Sequence, residues 1–212
     1  MKSLGKTASR TWLEIAIDAY LENIQDGGQE SNWIHASWLS GSEEEIYTRL
    51  VGLDKHNKIS SNLRRKFDDG LDVQRRYIRY FREMGILDEP EGWNEERGIT
   101  VLDTKFGIQG NIDCRIKVPE GIKVPVELKA YNTELFKKFK YYPRFDHAHQ
   151  LQVYLYLDGA PYGYLLPENK NDQGINPRKI MRDEIVIANF LRKAANVWNR
   201  VHRELEGGSD GV

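Results

Sequence analysis

The stretch from Gly107 to Leu157 constrains the fold of this chain more than any other. Two β-branched-rich runs, Gly107 to Ile116 and Val124 to Leu128, flank the turn Val118-Pro119-Glu120-Gly121. Extended segments joined by so short a turn are expected to pair as a hairpin. His147 to Leu157 then changes to helical spacing, which predicts a helix laid on the sheet. Strand, turn, strand and helix in that order exclude an all-helical bundle and call for a mixed α/β fold.

The flanking segments read as helices and short strands. Thr11 to Ile24 sets Trp12, Leu13, Ile15, Ala16, Ala19, Tyr20 and Ile24 on one apolar stripe, so Trp12 is expected in the core. Ser42 followed by Glu45 is a capping-box pair and predicts a helix from Glu43 to Leu53. A third helix, Asn62 to Met84, turns Phe67, Leu71, Ile78 and Phe81 inward, and Gly85 ends it. Ile99 to Leu102 and Gly163 to Leu166 read as strands, residues 168–177 as a polar loop, and Arg182 to Leu205 as a long amphipathic helix with Trp198 on its apolar side. With 212 residues, 40% of them hydrophobic, the chain can bury one core. A single domain, 1–212, is expected: a helical part over 8–88, the sheet and motif helix over 93–166, and a closing helix over 178–206.

Cysteine and charge remove several classes of function. Cys114 is the single cysteine, which excludes an intrachain disulfide, a cysteine zinc site and a four-cysteine iron–sulfur cluster. It fits a reducing, cytoplasmic location. No run approaches the roughly 18 apolar residues of a membrane span, so no membrane partner is expected. The net charge of −1 gives no global basic field, and a nucleic-acid partner would need local stripes. One such stripe is Arg64, Arg65, Lys66, Arg75, Arg76, Arg79 and Arg82; a second is Lys129, Lys137, Lys138, Lys140 and Arg144.

The chemistry-bearing residues fall on the central elements. Glu127 and Lys129 are two apart on a strand, so both side chains share a face while Leu128 turns to the other. Asp113 lies on the neighbouring strand, about 5 Å away. Two carboxylates at that spacing repel unless a cation sits between them, and a hard divalent ion such as Mg²⁺ or Mn²⁺ takes such oxygen ligands. An ion there can polarise a phosphoryl oxygen and activate water, with Lys129 orienting that water or offsetting phosphate charge. Gln150 and Tyr154 are four apart on the helix and share a face, where an amide and a phenol can hold the lysine or a phosphate oxygen. Lys137, Lys138, Lys140 and Arg144 lie between the lysine strand and this helix, placed to contact DNA phosphates.

In this order the motifs resemble the RecB-like branch of the PD-(D/E)xK nuclease superfamily, including phage-encoded members. That family's G-x-x-D, (D/E)-x-K and Q-x-x-x-Y match Gly110/Asp113, Glu127/Lys129 and Gln150/Tyr154, and His147 is similar to its H-x-x-Q histidine. The likeness extends from about Ile34 to Tyr164. It implies a restriction-endonuclease-like mixed central sheet flanked by helices, and a Mg²⁺- or Mn²⁺-dependent deoxyribonuclease. The resemblance further implies an exonuclease of recombination or repair in a bacterial or phage-infected cell, with room for a recombination partner protein. Asp113, Glu127 and the Leu128 backbone carbonyl would ligate the metal. Phe67 to Gln74 resembles the family's first motif, where Gln74 stands in place of the metal-ligating histidine. Gln74 would complete the ligand set, with Glu96, ahead of the first strand, either substituting for it or capping the sheet edge, and Arg75 would join the DNA contacts. Ser42 stands where cluster-bearing relatives have cysteine, implying a member without an iron–sulfur cluster. The alternative is a chain of the same fold that binds nucleic acid, or serves as an accessory protein, without cutting. The resemblance leaves oligomeric state open.

Other signals carry less. Gly5-Lys6-Thr7 lacks the earlier glycine of a phosphate loop. Asp146, His147 and His149 fit no zinc spacing and read as a helix N-terminus. His35 and His56 read as structural or exposed.

Overall fold

The computed structural model describes residues 10–23, 31–53 and 59–207. Ile24, His56 and Gly5-Lys6-Thr7 lie outside these segments. The described chain runs α1 (Trp12–Asn23), β1 (Ile34–His35), a 3₁₀ turn (Ala36–Trp38), α2 (Glu43–Leu50), α3 (Ser61–Glu83), β2 (Leu87–Asp88), β3 (Ile99–Asp103), β4 (Ile108–Ile112), β5 (Cys114–Lys117), β6 (Lys123–Tyr131), α4 (Thr133–Lys138), α5 (Phe145–Asp158), β7 (Tyr162–Asn169), β8 (Arg178–Met181) and α6 (Glu184–Gly207). The mixed α/β class read from the sequence is what the chain forms.

Helix ends follow local chemistry. Ser42 caps α2 through a full capping box: its hydroxyl accepts from the Glu45 amide at 3.2 Å, and its own amide donates to the Glu45 carboxylate at 2.7 Å. Gly159, at φ +71°, ends α5 in the left-handed conformation that glycine adopts without strain.

The strands form two sheets. One has the order β1-β4-β3, with β1 parallel to β4; the other has the order β2-β5-β6-β7-β8, with β6 and β7 parallel. The hairpin expected around residues 118–121 is β5–β6, pairing Cys114 with Val126 and Lys117 with Lys123. The single strand expected from Gly107 to Ile116 is broken: the chain leaves the first sheet after Ile112, turns at Asp113, and enters the second at Cys114. Gly98 permits this crossing. It has φ +72°, and a Cβ there would lie 2.1 Å from the Ile112 carbonyl oxygen.

A core of Ile34, Leu39, Ile46, Ile108, Ile112, Leu151, Leu155, Phe190 and Ala194 lies between the first sheet, α2, α5 and α6. A second cluster, with Tyr77, Ile78, Phe81, Cys114, Val126 and Leu128, lies between α3 and the second sheet. Leu128 is thus buried on the face opposite Lys129, as the alternation requires. The stripe expected on α1 fails as core: Trp12 is 79% exposed, Leu13, Ile15 and Tyr20 are exposed as well, and the one buried residue of α1 is Leu21, off that stripe. On α3, Phe67 is also exposed and the buried apolar residues begin at Val73, so the start of that helix projects beyond the layers that could cover it. Trp198 does pack on the first core.

Candidate active site

The break at Asp113 creates the site. Because β5 begins only at Cys114, the length of β6 beyond Val126 has no strand on that side. Asp113 fills the gap, its Oδ2 accepting the Leu128 amide hydrogen at 2.8 Å. In an extended strand the amide and carbonyl of one residue point to the same side. The Leu128 carbonyl therefore also faces the Asp113 side, past the end of β5. On the next residues Glu127 and Lys129 share the opposite face from Leu128, and the Lys129 ammonium contacts Glu127 Oε1.

Three charged groups are consequently held together with little access to solvent. Glu127 is fully buried, and neither of its carboxylate oxygens accepts a hydrogen bond of acceptable geometry. Burial, and then the neighbouring Asp113 charge, push the Glu127 carboxyl up to about 8. Burial also raises Asp113, opposed by Lys129 and the Leu128 amide. Burial works against the Lys129 ammonium, yet Glu127 and Asp113 outweigh it and hold its pKa above the ordinary lysine value. The result is an acidic pair that resists full ionisation and a lysine that stays charged.

The other motif residues surround this group. Gln150 Nε2 donates to the Tyr154 hydroxyl at 2.7 Å, and that oxygen also accepts from the Asn111 amide. The Tyr154 ring explains Gly110: a Cβ at that position would lie 2.9 Å from Tyr154 Cε1 and 3.0 Å from Leu157 Cδ1. Gly110, Asp113, Glu127, Lys129, Gln150 and Tyr154 line one cleft of about 250 Å³. A larger groove of about 340 Å³ between α3 and the end of β7 is lined by Arg76 and Glu168, which are already ion-paired.

Other expected site residues stand apart. Gln74 donates its amide to the Glu95 carbonyl oxygen at 3.1 Å, and Glu96 is ion-paired to Arg75 at 3.1 Å; none of the three lines the cleft. Arg75 also contacts Asp72 at 3.4 Å. Lys137 and Lys138 end α4, Lys140 follows it, and Arg144 pairs with Asp146 at 2.8 Å.

The cleft also has a wall that the sequence did not announce. His35, Ser37, Gln109 and Asn111 come from β1, the 3₁₀ turn and β4. A two-residue strand has no periodicity to read, and its parallel pairing to β4 bridges a long sequence gap. His35 hydrogen-bonds Ser31 Oγ at 2.8 Å, and burial lowers its pKa. At the end of β6 the Tyr131 hydroxyl meets His147 Nδ1 at 2.5 Å. Burial, together with the Lys129 charge, lowers His147 to about 3, so the imidazole is neutral where it meets the Tyr131 hydroxyl. Only the shared face of residues 127, 129 and 131 could have hinted at Tyr131.

Neither a protein-family model nor a curated protein sequence matches the chain. Its backbone does match solved structures. The alkaline exonuclease LHK-Exo from Laribacter hongkongensis superposes with a TM-score of 0.59 at 18% identity, covering 92% of this chain and 96% of that one. LHK-Exo in complex with dAMP gives 0.60 at 17% identity, covering 84% and 92%. SSO0001 gives 0.50 at 18% identity, covering 87% and 82%. At these identities the likeness is one of fold alone, a fold this chain shares with LHK-Exo.

Proposed function

We propose that this chain is a divalent-metal-dependent deoxyribonuclease of the PD-(D/E)xK type, acting as an exonuclease in recombination or repair. The observation that carries the reading is Glu127: a fully buried carboxylate whose Oε1 meets the Lys129 ammonium and whose Oε2 has no partner among the described residues, beside Asp113. Buried polar groups are almost always satisfied, so an unpartnered carboxylate oxygen next to a second carboxylate fits a cation. Among the described residues no group of three or more His, Cys, Asp and Glu is gathered to hold a metal. A cation here would rest on Asp113, Glu127 and the Leu128 carbonyl with water completing its shell, the habit of Mg²⁺ or Mn²⁺ rather than zinc. When bound, such an ion supplies Lewis acidity to a phosphoryl oxygen and lowers the pKa of water.

The protein's own groups then have distinct tasks. Lys129, held protonated, is a fixed positive charge that orients the attacking water and offsets charge growing on the scissile phosphate. Gln150, kept in place by Tyr154, offers a neutral amide to a phosphate oxygen. Gly110 lets that tyrosine pack against β4. The fold shared with an exonuclease that accommodates dAMP supports a mononucleotide product.

The test is incubation of linear and covalently closed circular duplex DNA with Mg²⁺ or Mn²⁺. Digestion of the linear form alone supports the proposal; unaltered linear DNA overturns it. A second reading, binding without cutting, draws on Gln74, whose amide is engaged with Glu95. It would show as retained but undigested DNA.

A further inference from the structure

The segment joining α4 to α5 and the first residue of α5 carry three large aromatic side chains on the outside of the protein. Tyr141 is 74% exposed, Tyr142 80% and Phe145 70%. These rings contribute little to folding, since burial is what makes an aromatic stabilising. Their backbone is nonetheless pinned: Asn176 Nδ2 donates to the Lys140 carbonyl oxygen at 3.0 Å, and the Arg178 guanidinium donates to the same oxygen. Phe145 leans on His149, which in turn meets Phe190 edge-on with ring centroids 5.0 Å apart. The rings are therefore held outward by a supported scaffold.

Charge and position identify what they meet. Lys140 stands beside the rings, its ammonium 5.6 Å from the Tyr141 ring centroid, and Lys137 and Lys138 precede it in the last turn of α4. The partner should be anionic and should also present flat apolar faces. Phe145 begins the helix whose Gln150 lines the cleft. Five residues of α-helix advance about 7.5 Å, comparable to two stacked nucleotides at about 3.4 Å each. Resting on the nuclease reading above, we infer that Tyr141, Tyr142 and Phe145 stack on unpaired bases of the DNA strand, about two or three nucleotides from the bond being cut. The lysines track the phosphates of the same strand. Stacking accepts any base because every base has a π-face, which suits an enzyme that digests without regard to sequence. The substrate specified is thus a single-stranded or frayed end.

The experiment is a cycle between side chain and base. Binding of labelled single-stranded oligonucleotides is measured by anisotropy in EDTA, so that nothing is cut, for the parent, Tyr142→Ala, Tyr142→Phe and the triple variant Tyr141→Ala/Tyr142→Ala/Phe145→Ala. Each is tested against intact strands and strands in which a run of abasic nucleotides replaces the bases. The parent should lose roughly tenfold or more in affinity when the bases are removed. The triple variant should bind the intact strand as weakly as the parent binds the abasic one, and should lose nothing further on it. Tyr142→Phe should bind like the parent, and Tyr142→Ala should fall between. Equal affinity of parent and triple variant, or the same loss on intact and abasic strands, overturns the inference, the latter assigning the rings to a protein partner or to a general surface effect. A parent that digests DNA while failing this cycle leaves the nuclease reading standing. A parent that neither binds nor digests DNA removes both.

Discussion

Glu127→Gln should stabilise the folded protein in the absence of metal. The carboxyl has an ordinary value of 4.5 and is raised to about 8 in the fold by burial and by Asp113. The native state then binds a proton that the unfolded chain has released across that interval, so stability falls as pH rises from about 4.5 to about 8. One unit corresponds to about 1.4 kcal/mol, which bounds the cost of ionising Glu127 at roughly 5 kcal/mol. The raised value already contains the Lys129 attraction, and relaxation of the buried site around the ionised pair returns much of the gain. A net stabilisation of about 1–2 kcal/mol is expected at pH 8.5, or about 2–8 °C in Tm for a chain of this size. Below about pH 4.5 both side chains are neutral and the difference should vanish. Urea denaturation of parent and variant in EDTA, at pH 4.5, 6.5 and 8.5, measures it. A variant less stable than the parent at pH 8.5, or a difference that does not grow with pH, would refute the reasoning.

Other consequences can be checked separately. Gly110→Ala should cost about 1–3 kcal/mol, because its Cβ would meet Tyr154 Cε1 at 2.9 Å and Leu157 Cδ1 at 3.0 Å; Gly70→Ala, in a helix with nothing within 4 Å, should instead gain about 0.5–1 kcal/mol. Thermal unfolding of the two variants decides both. Asp88 is buried between Arg115 and Lys123; burial raises its pKa, but the two cations outweigh that and hold it below the ordinary value. Its contribution is therefore present above the unfolded aspartate pKa and lost as pH falls through the folded one, and Asp88→Asn should cost about 2–3 kcal/mol at pH 7 with the difference closing below about pH 4. His147, lowered to about 3 by burial and the Lys129 charge, should show no imidazole titration by NMR between pH 5 and 8; a midpoint near 6.5 contradicts its neutral, Tyr131-bonded placement.

How much of this was legible in the sequence depended on the range of the interactions involved. The hairpin and the motif helix follow from period and turn chemistry, which are local, and so do the shared face of Glu127 and Lys129 and that of Gln150 and Tyr154. The break at Asp113 was not legible, because residues 107–116 are uniformly strand-like and the close approach that accompanies it is to Gly98, in a separate segment. The cleft wall at His35 and Ser37 escaped notice for the same reason: its placement is a long-range pairing of two residues. Trp12 and Phe67 show the converse error. An apolar stripe on a helix does not say whether a layer exists to cover it: the stripe of α1 is exposed almost throughout, and α3 is covered only from Val73 on. Gln74 looked like a substitute ligand by position along α3, yet its amide is turned to the Glu95 carbonyl.

Release of mononucleotides from end-labelled linear DNA tests the central claim most directly. It is followed with Mg²⁺ or Mn²⁺, after EDTA, and beside Glu127→Gln and Lys129→Met. The account predicts release by the parent that stops on chelation and falls at least a hundredfold in either variant, consistent with the loss of a charge that stabilises the transition state. Release that persists in EDTA, or that proceeds equally in all three proteins, would contradict it.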